Sequence, residues 1–128
     1  LVEEAKKLGI TVHDGGTIVT IEGPRFSTRA ESKWFRSAGW EVIGMTQFPE
    51  AILSRELNLC YGNVALITDY DLGLDGDASA PPVTHEGVLE VFKANNHRLV
   101  GLLRAAVRRV SPDPSCACHS TVTMPGAK

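Results

Sequence analysis

Cysteine is scarce in this chain. Cys60, Cys116 and Cys118 are the three in 128 residues, too few and too odd a number for the paired framework of a disulfide-held domain. A surplus of positive charge is missing too. Fifteen acidic side chains against thirteen basic ones give a formal charge of −2, so there is no electrostatic reason to expect nucleic acid or an anionic membrane surface as partner. No apolar stretch approaches the roughly 18 residues that span a bilayer, no charged start leads into an apolar h-region, and there is no internal repeat. The expectation is a soluble, cytoplasmic protein. What is present agrees with it: 43% hydrophobic and 22% charged residues are ordinary globular proportions. At this length a folded chain is one domain that buries about two-thirds of its unfolded surface. The first residues, Leu1 to Gly9, contain no methionine, and Leu1, Ala5 and Leu8 recur at helical spacing before a glycine suited to a helix end. The chain thus opens inside a helix and is expected to be part of something longer.

Strand and helix signals alternate along it. Residues 10–22 are rich in Ile, Val and Thr, interrupted by Asp14-Gly15-Gly16 and stopped by Gly23-Pro24. Thr28-Arg29-Ala30-Glu31 reads as a capping box, and the helix it opens carries Ala30, Trp34 and Ala38 on one stripe and ends at Gly39. Trp40 to Met45 is a short apolar strand. Pro49 suits a first helical position; that helix runs to about Asn58 with Ile52, Leu53 and Leu57 as its apolar stripe. Leu59 to Thr68 is nearly continuously apolar from Val64, as in a central strand covered on both faces. A loop over residues 72–83 has the length of a binding lid. Thr84 then caps a long helix with Leu89, Phe92, Leu99, Leu103, Ala106 and Val110 facing the core, ended by Ser111-Pro112-Asp113-Pro114. The alternation predicts an α/β layer architecture.

Three stretches carry chemistry: Glu22-Gly23-Pro24-Arg25-Phe26, Gly44-Met45-Thr46 with Pro49-Glu50, and Thr68-Asp69-Tyr70-Asp71. Two carboxylates two residues apart on an extended segment point the same way. One can accept from an exocyclic amino group, and a second that holds a proton can donate to a heterocycle nitrogen. Read alone, Asp69 and Asp71 are more simply an acidic, solvated loop mouth after a strand. In this order and at these separations, the three stretches resemble the C-terminal half of the purine nucleoside phosphorylase family, with the S-methyl-5′-thioadenosine phosphorylases as the most similar branch. The resemblance covers residues 1–110, with 111–128 as an irregular tail. It implies a three-layer phosphorylase/hydrolase-like α/β fold, a mixed sheet between helices, present here as a partial, C-terminal domain.

The implied reaction replaces the purine at C1′ of a nucleoside by phosphate through an oxocarbenium-like transition state. By resemblance Asp69 acts at N7 of the leaving base and Asp71 supports it. Phe26 flanks the purine, Ile43 and Met45 lie against the nucleoside, and Thr46 offers its hydroxyl to phosphate, just before a helix whose first amides could help hold an anion. Family members acting on 6-oxopurines usually carry Asn at the place of Asp69 and Glu at that of Ser27, so both residues point to adenine-type bases. His85 and Val88 line the pocket around the 5′ substituent; a histidine there suits a 5′-hydroxyl, whereas the methylthio branch usually has a small apolar residue. Arg25 has no family role and reads as a surface arginine. Without the family, Phe26 and Met45 are core residues, Thr46 a cap and His85 a polar residue of a first helical turn.

Phosphate is the co-substrate, no cofactor is implied, and the parent is expected to be a homotrimer (or hexamer). The family's glycine-rich phosphate loop and Arg-His pair are not in this sequence, so the chain alone is expected to be inactive or nearly so. Two alternatives stand beside this reading: a phosphorylase preferring adenosine or 6-oxopurine nucleosides, and a non-catalytic purine-binding fragment. Cys116-Ala117-Cys118-His119 offers at most three clustered metal ligands with no second pair to complete a tetrahedron, so no metal is expected. Some family members carry a Cys-x-Cys able to form a local disulfide, although a cytosolic pair is ordinarily reduced. Cys60 reads as a small buried hydrophobe, and His13, His97 and His119 have no evident partners.

Overall fold

The computed structural model describes residues 1–73, 82–112 and 115–120. Its elements are α1 (Val2–Lys7), β1 (Ile18–Thr20), α2 (Arg29–Ser37), β2 (Val42–Gly44), α3 (Glu50–Glu56) and α4 (His85–Val107), followed by a 3₁₀ turn over Ala117–Ser120. β1 and β2 pair in parallel, Ile18 opposite Val42, Val19 opposite Ile43 and Thr20 opposite Gly44. Parallel strands need a long crossover, and α2 provides it. The pairing is tied at both ends. The Ile21 N–H donates to the Gly44 carbonyl at 2.9 Å. At the other end the Thr17 N–H donates to the Glu41 carboxylate at 2.6 Å, and this backbone bond holds the Glu41 carboxyl below its ordinary range.

The helix termini follow from single residues. Thr28 and Glu31 form the capping box read from the sequence, each side chain bonding the other's backbone N–H. Three helices then end the same way. After α1, Ile10 N–H bonds the Ala5 carbonyl at 2.9 Å and Gly9 N–H the Lys6 carbonyl at 3.1 Å; after α2, Trp40 bonds Phe35 at 3.1 Å and Gly39 bonds Arg36 at 3.0 Å; after α3, Leu59 bonds Ser54 at 2.8 Å and Asn58 bonds Arg55 at 3.1 Å. This paired closure, the Schellman motif, puts the residue past the cap in the left-handed region. Gly9, Gly39 and Asn58 are there with φ of 65°, 75° and 56°.

Burial is small. Among the described residues Ala5, Phe35 and Leu102 are the buried hydrophobic side chains, and Ser32 is a buried polar one. α1 packs on α4, and the contact is framed by Arg109 reaching Glu4 at 3.0 Å and by Lys7 reaching Glu4 at 2.8 Å. Lys7 first, and Arg109 after it, lower the Glu4 carboxyl. Trp34, Phe35 and Trp40 form an aromatic triangle with centroids 5.6–5.8 Å apart around the end of α2.

Several expectations about faces change. α2 buries Ser32 and Phe35, while Ala30, Trp34 and Ala38 are exposed. On α4 Leu99 and Ala106 are covered as predicted, whereas Leu89, Phe92 and Leu103 are exposed and give way to Val88, Val91 and Leu102, one residue or about 100° away; Val110 is exposed. The α3 stripe of Ile52, Leu53 and Leu57 is uncovered. Pro49 occupies the N-cap rather than the first turn of α3. Residues 59–68 pair with no strand, although burial alternates from Val64 to Asp69 as on an extended segment. A strand exists by its ladder, and the described residues supply no neighbour for this one. Most of the expected lid (74–81), part of the expected helix stop (113–114) and residues 121–128 lie outside the described residues. Among the described residues no helix is long and apolar enough to cross a membrane.

Candidate functional site

Because β1 and β2 run parallel, the segments that follow them leave the sheet on the same side. Ligands of α/β proteins gather there, beyond the carboxyl ends of the strands. After β1 comes Glu22 to Ser27; after β2 come Met45 and Thr46. The two segments touch: a Cβ on Gly23 would stand 3.2 Å from the Met45 sulfur, so the glycine permits the approach. Arg25 fixes the first loop. Its guanidinium grips Glu31 in a two-pronged pair at 2.7 and 2.9 Å and reaches the Phe26 carbonyl at 3.1 Å. Glu31 also accepts from the Thr28 N–H at 2.7 Å and the Thr28 hydroxyl at 2.9 Å. Arg25 first, then the Thr28 donors, bring the Glu31 carboxyl down to about 2.

The third stretch folds onto the same helix. Ser27 Oγ donates to an Asp71 oxygen at 3.4 Å and shares a 2.9 Å hydrogen bond with buried Ser32 of α2. Arg36, near the end of α2, donates to the Gly73 carbonyl at 2.8 Å. α2 therefore holds residues 71–73 directly through Arg36 and, by way of Ser27, through Ser32. The pair of aspartates is not arranged as the sequence suggests. Asp71 has a φ of 50°, which turns the chain, so the same-side rule of an extended segment does not apply. Asp69 accepts from the Asp71 N–H at 2.9 Å and the Thr68 hydroxyl at 2.8 Å, while Asp71 faces Ser27. A carboxylate has about four lone-pair sites, so Asp69, which is exposed, keeps capacity for a ligand.

Residues 1–108 match the Phosphorylase superfamily. The chain belongs to it. Over 117 residues it is 46% identical to an S-methyl-5′-thioadenosine phosphorylase of Pyrococcus abyssi, covering 91% of this chain and 43% of that protein. Over 111 residues it is 53% identical to a purine nucleoside phosphorylase of Streptomyces coelicolor, covering 85% and 39%. Among solved structures, the methylthioadenosine phosphorylase from Schistosoma mansoni in complex with adenine superposes with a TM-score of 0.75 at 30% identity, covering 88% of this chain and 44% of that one. The α/β architecture is thus the superfamily's, and the chain spans about two-fifths of the length of these relatives.

The remaining candidate residues of this phosphorylase-superfamily chain are less tightly gathered. Phe26 is 45% exposed beside the strand ends; Ile43, on β2, and Met45 are half-buried. Thr46 is exposed. At the start of the helix after it, Pro49 has no N–H and the Ala51 N–H is spent on the Gln47 carbonyl at 3.0 Å. His85 and Val88 stand in the first turn of α4, exposed and half-buried, and none of the hydrogen bonds joining the three stretches involves them. An open concavity of about 400 Å³ lies elsewhere, between Ile18, Gln47, Phe48, Ile52, Tyr61 and neighbours. Neither a carboxylate nor a cation lines it. Ser32 and Arg36 are the positioning residues that sequence reasoning missed, along with the partner of Glu31. The three-residue offset of Thr28-x-x-Glu31 marked the cap, but nothing local showed that Arg25 or Gly73 would be the partner.

The cysteines also differ from expectation. Cys60 is exposed, not a buried hydrophobe. Its sulfur lies 3.1 Å from that of Cys116 and 3.9 Å from His119 Nε2, so His119 has a partner after all. The hydrogen bond with Cys116 pushes the Cys60 thiol up to about 12 and lowers that of Cys116.

Proposed function

We propose that the protein to which this chain contributes residues 1–110 of its nucleoside phosphorylase domain cleaves 6-aminopurine nucleosides by phosphate, with S-methyl-5′-thioadenosine as the main substrate. The products are adenine and 5-methylthioribose 1-phosphate. The observation that carries this reading is the Ser27–Asp71 contact, which joins the base-flanking loop to the acidic turn beyond the carboxyl ends of two parallel strands.

In this reading the purine lies against Phe26, with its five-membered ring toward Asp69. As the glycosidic bond lengthens, negative charge grows on the base and a proton held at Asp69 passes to N7, so the leaving group departs neutral. Asp71, held by Ser27, orients the turn that presents Asp69. Ile43 and Met45 support the nucleoside, Thr46 contributes one hydroxyl to phosphate, and His85 and Val88 approach the 5′ substituent. The sugar's cationic character is met by the phosphate, which is a co-substrate; no cofactor takes part. The parent works as a cytoplasmic homotrimer or hexamer, in which other parts of the protein cover the apolar faces of α3 and α4. Residues 111–128 form a tail outside the phosphorylase domain.

The test uses the parent-length enzyme and follows phosphate-dependent release of adenine. Asp69→Asn removes the proton donor and replaces an acceptor by an amide. Its kcat/KM for methylthioadenosine should fall by about 10²-fold or more, while turnover of inosine, a 6-oxopurine nucleoside, should be spared or rise. Adenine release untouched by this change would remove Asp69 from the chemistry. The 53% identity to a purine nucleoside phosphorylase keeps a second reading, a preference for 6-oxopurines, which wild-type inosine turnover above methylthioadenosine turnover would establish. Purine affinity without product would identify a non-catalytic binder.

A further inference from the structure

All three cysteines of the chain converge on one point, although Cys60 stands 56 positions before Cys116. Their sulfur atoms lie within 4.8 Å of one another. His119, on the same 3₁₀ turn as Cys118, brings its Nε2 to 3.9 Å from the Cys60 sulfur. Zinc–sulfur bonds of about 2.3 Å and zinc–nitrogen bonds near 2.0 Å at tetrahedral angles put sulfurs about 3.8 Å apart and sulfur about 3.6 Å from nitrogen. The Cys60–Cys116 pair, at 3.1 Å, is short of that by under 1 Å, and the His119 distance exceeds it by a few tenths. Small side-chain rotations close both differences. The three sulfurs alone have ligand atoms mutually within 4.8 Å, so the His119 ring must also swing toward Cys116 and Cys118 to complete the set; Cys60, Cys116 and His119 are exposed and free to move.

We propose that Cys60, Cys116 and Cys118 bind one zinc-class divalent cation as thiolates, with His119 as the fourth ligand, pinning the turn at 117–120 to the segment after α3. The thiol protons are released to solvent on binding, and three thiolates with a neutral imidazole give a soft, closed donor set that selects zinc over magnesium or calcium. A single disulfide would engage two of the sulfurs and leave the third sulfur and the imidazole without a reason to be there. With four protein ligands no position stays open for substrate, so the site is structural. It shares no residue with the site proposed around Asp69 and Phe26 and stands independently of that reading.

The test is cobalt titration of the reduced 128-residue chain, with native mass spectrometry of the zinc form. One cobalt per chain with the intense visible bands of a tetrahedral thiolate complex, displaced by zinc, is the expected result. Cys60→Ser should weaken zinc binding by at least about a hundredfold, with an unchanged far-ultraviolet dichroism spectrum. His119→Ala should keep the sulfur-to-cobalt charge-transfer bands but alter the ligand-field bands. Three results would overturn the site: no stoichiometric metal, a mass lower by two hydrogens with no metal bound, or Cys60→Ser binding as tightly as the original chain. Should a cysteine variant misfold, amide exchange in the intact chain decides: zinc must protect residues 115–120, and no change in their exchange rejects the proposal.

Discussion

Glu31 is the residue on which most of the site's local order converges. It accepts from the Arg25 guanidinium and from both donors of Thr28, tying the loop that carries Phe26 to the start of α2. Its carboxyl is lowered from 4.5 to about 2 in the fold. A depressed carboxyl binds its proton more weakly when folded than when unfolded, so it stabilises the fold above pH 4.5 and loses that contribution as the pH falls toward 2. Urea midpoints measured across this window should therefore drop on acidification, and the drop should be smaller in Glu31→Gln. An identical acid limb in both proteins would show that Arg25 and Thr28 do not discriminate the charged form. Thr28 and Glu31 were legible as a pair because a capping box is a local pattern. Arg25 was legible only as an unassigned surface arginine, because its partner is chosen by how the loop folds back.

At the scale of elements, helix ends were read better than helix faces. Gly9, Gly39 and Asn58 each sit where a chain must enter the left-handed region to complete two carbonyl bonds, and glycine, which has no Cβ, or asparagine, with its short polar side chain, marks such a place in a sequence. Gly39→Ala meets no neighbour within 4 Å, so its cost is conformational alone. It should destabilise the chain by about 1 kcal/mol, read as a lower urea midpoint with unchanged slope, whereas Gly101→Ala, inside α4 and equally uncrowded, should be neutral or stabilising. Equal effects at the two positions would contradict the assignment of strain to φ. Faces were harder, because apolar residues occur on more than one side of both helices: Ala30, Trp34 and Phe35 on α2, and Leu, Val and Ala on α4. Which side becomes the buried one depends on what packs there, and α1 against α4 selects Leu102 rather than Leu103.

For the whole molecule the surface is the decisive quantity. The chain exposes 10026 Å², whereas a compact monomer of its mass, 13.8 kDa, exposes about 6,600 Å². Leu53 at 50%, Leu57 at 67%, Phe48 at 66% and Val107 at 71% belong to that excess. Contiguous exposed apolar surface drives association. Purified by itself, the 128-residue chain should bind a hydrophobic dye such as ANS and sediment as a concentration-dependent mixture of species, with no measurable phosphorolysis. A dye-silent monomer would mean that these faces are covered within the chain.

The sequence by itself determined the alternation of helix and strand, the caps, and the three stretches that mark the superfamily, since each depends on neighbours a few residues apart and on backbone preferences that every context shares. Only the tertiary structure decided that Asp71 turns back toward Ser27, that α2 grips the acidic turn through Arg36, and that Cys60 meets Cys116 and His119. These depend on contacts between residues 37 to 59 positions apart. Such contacts form only after the chain has accepted the entropy cost of closing long loops, and no local pattern records which of the available partners will be met.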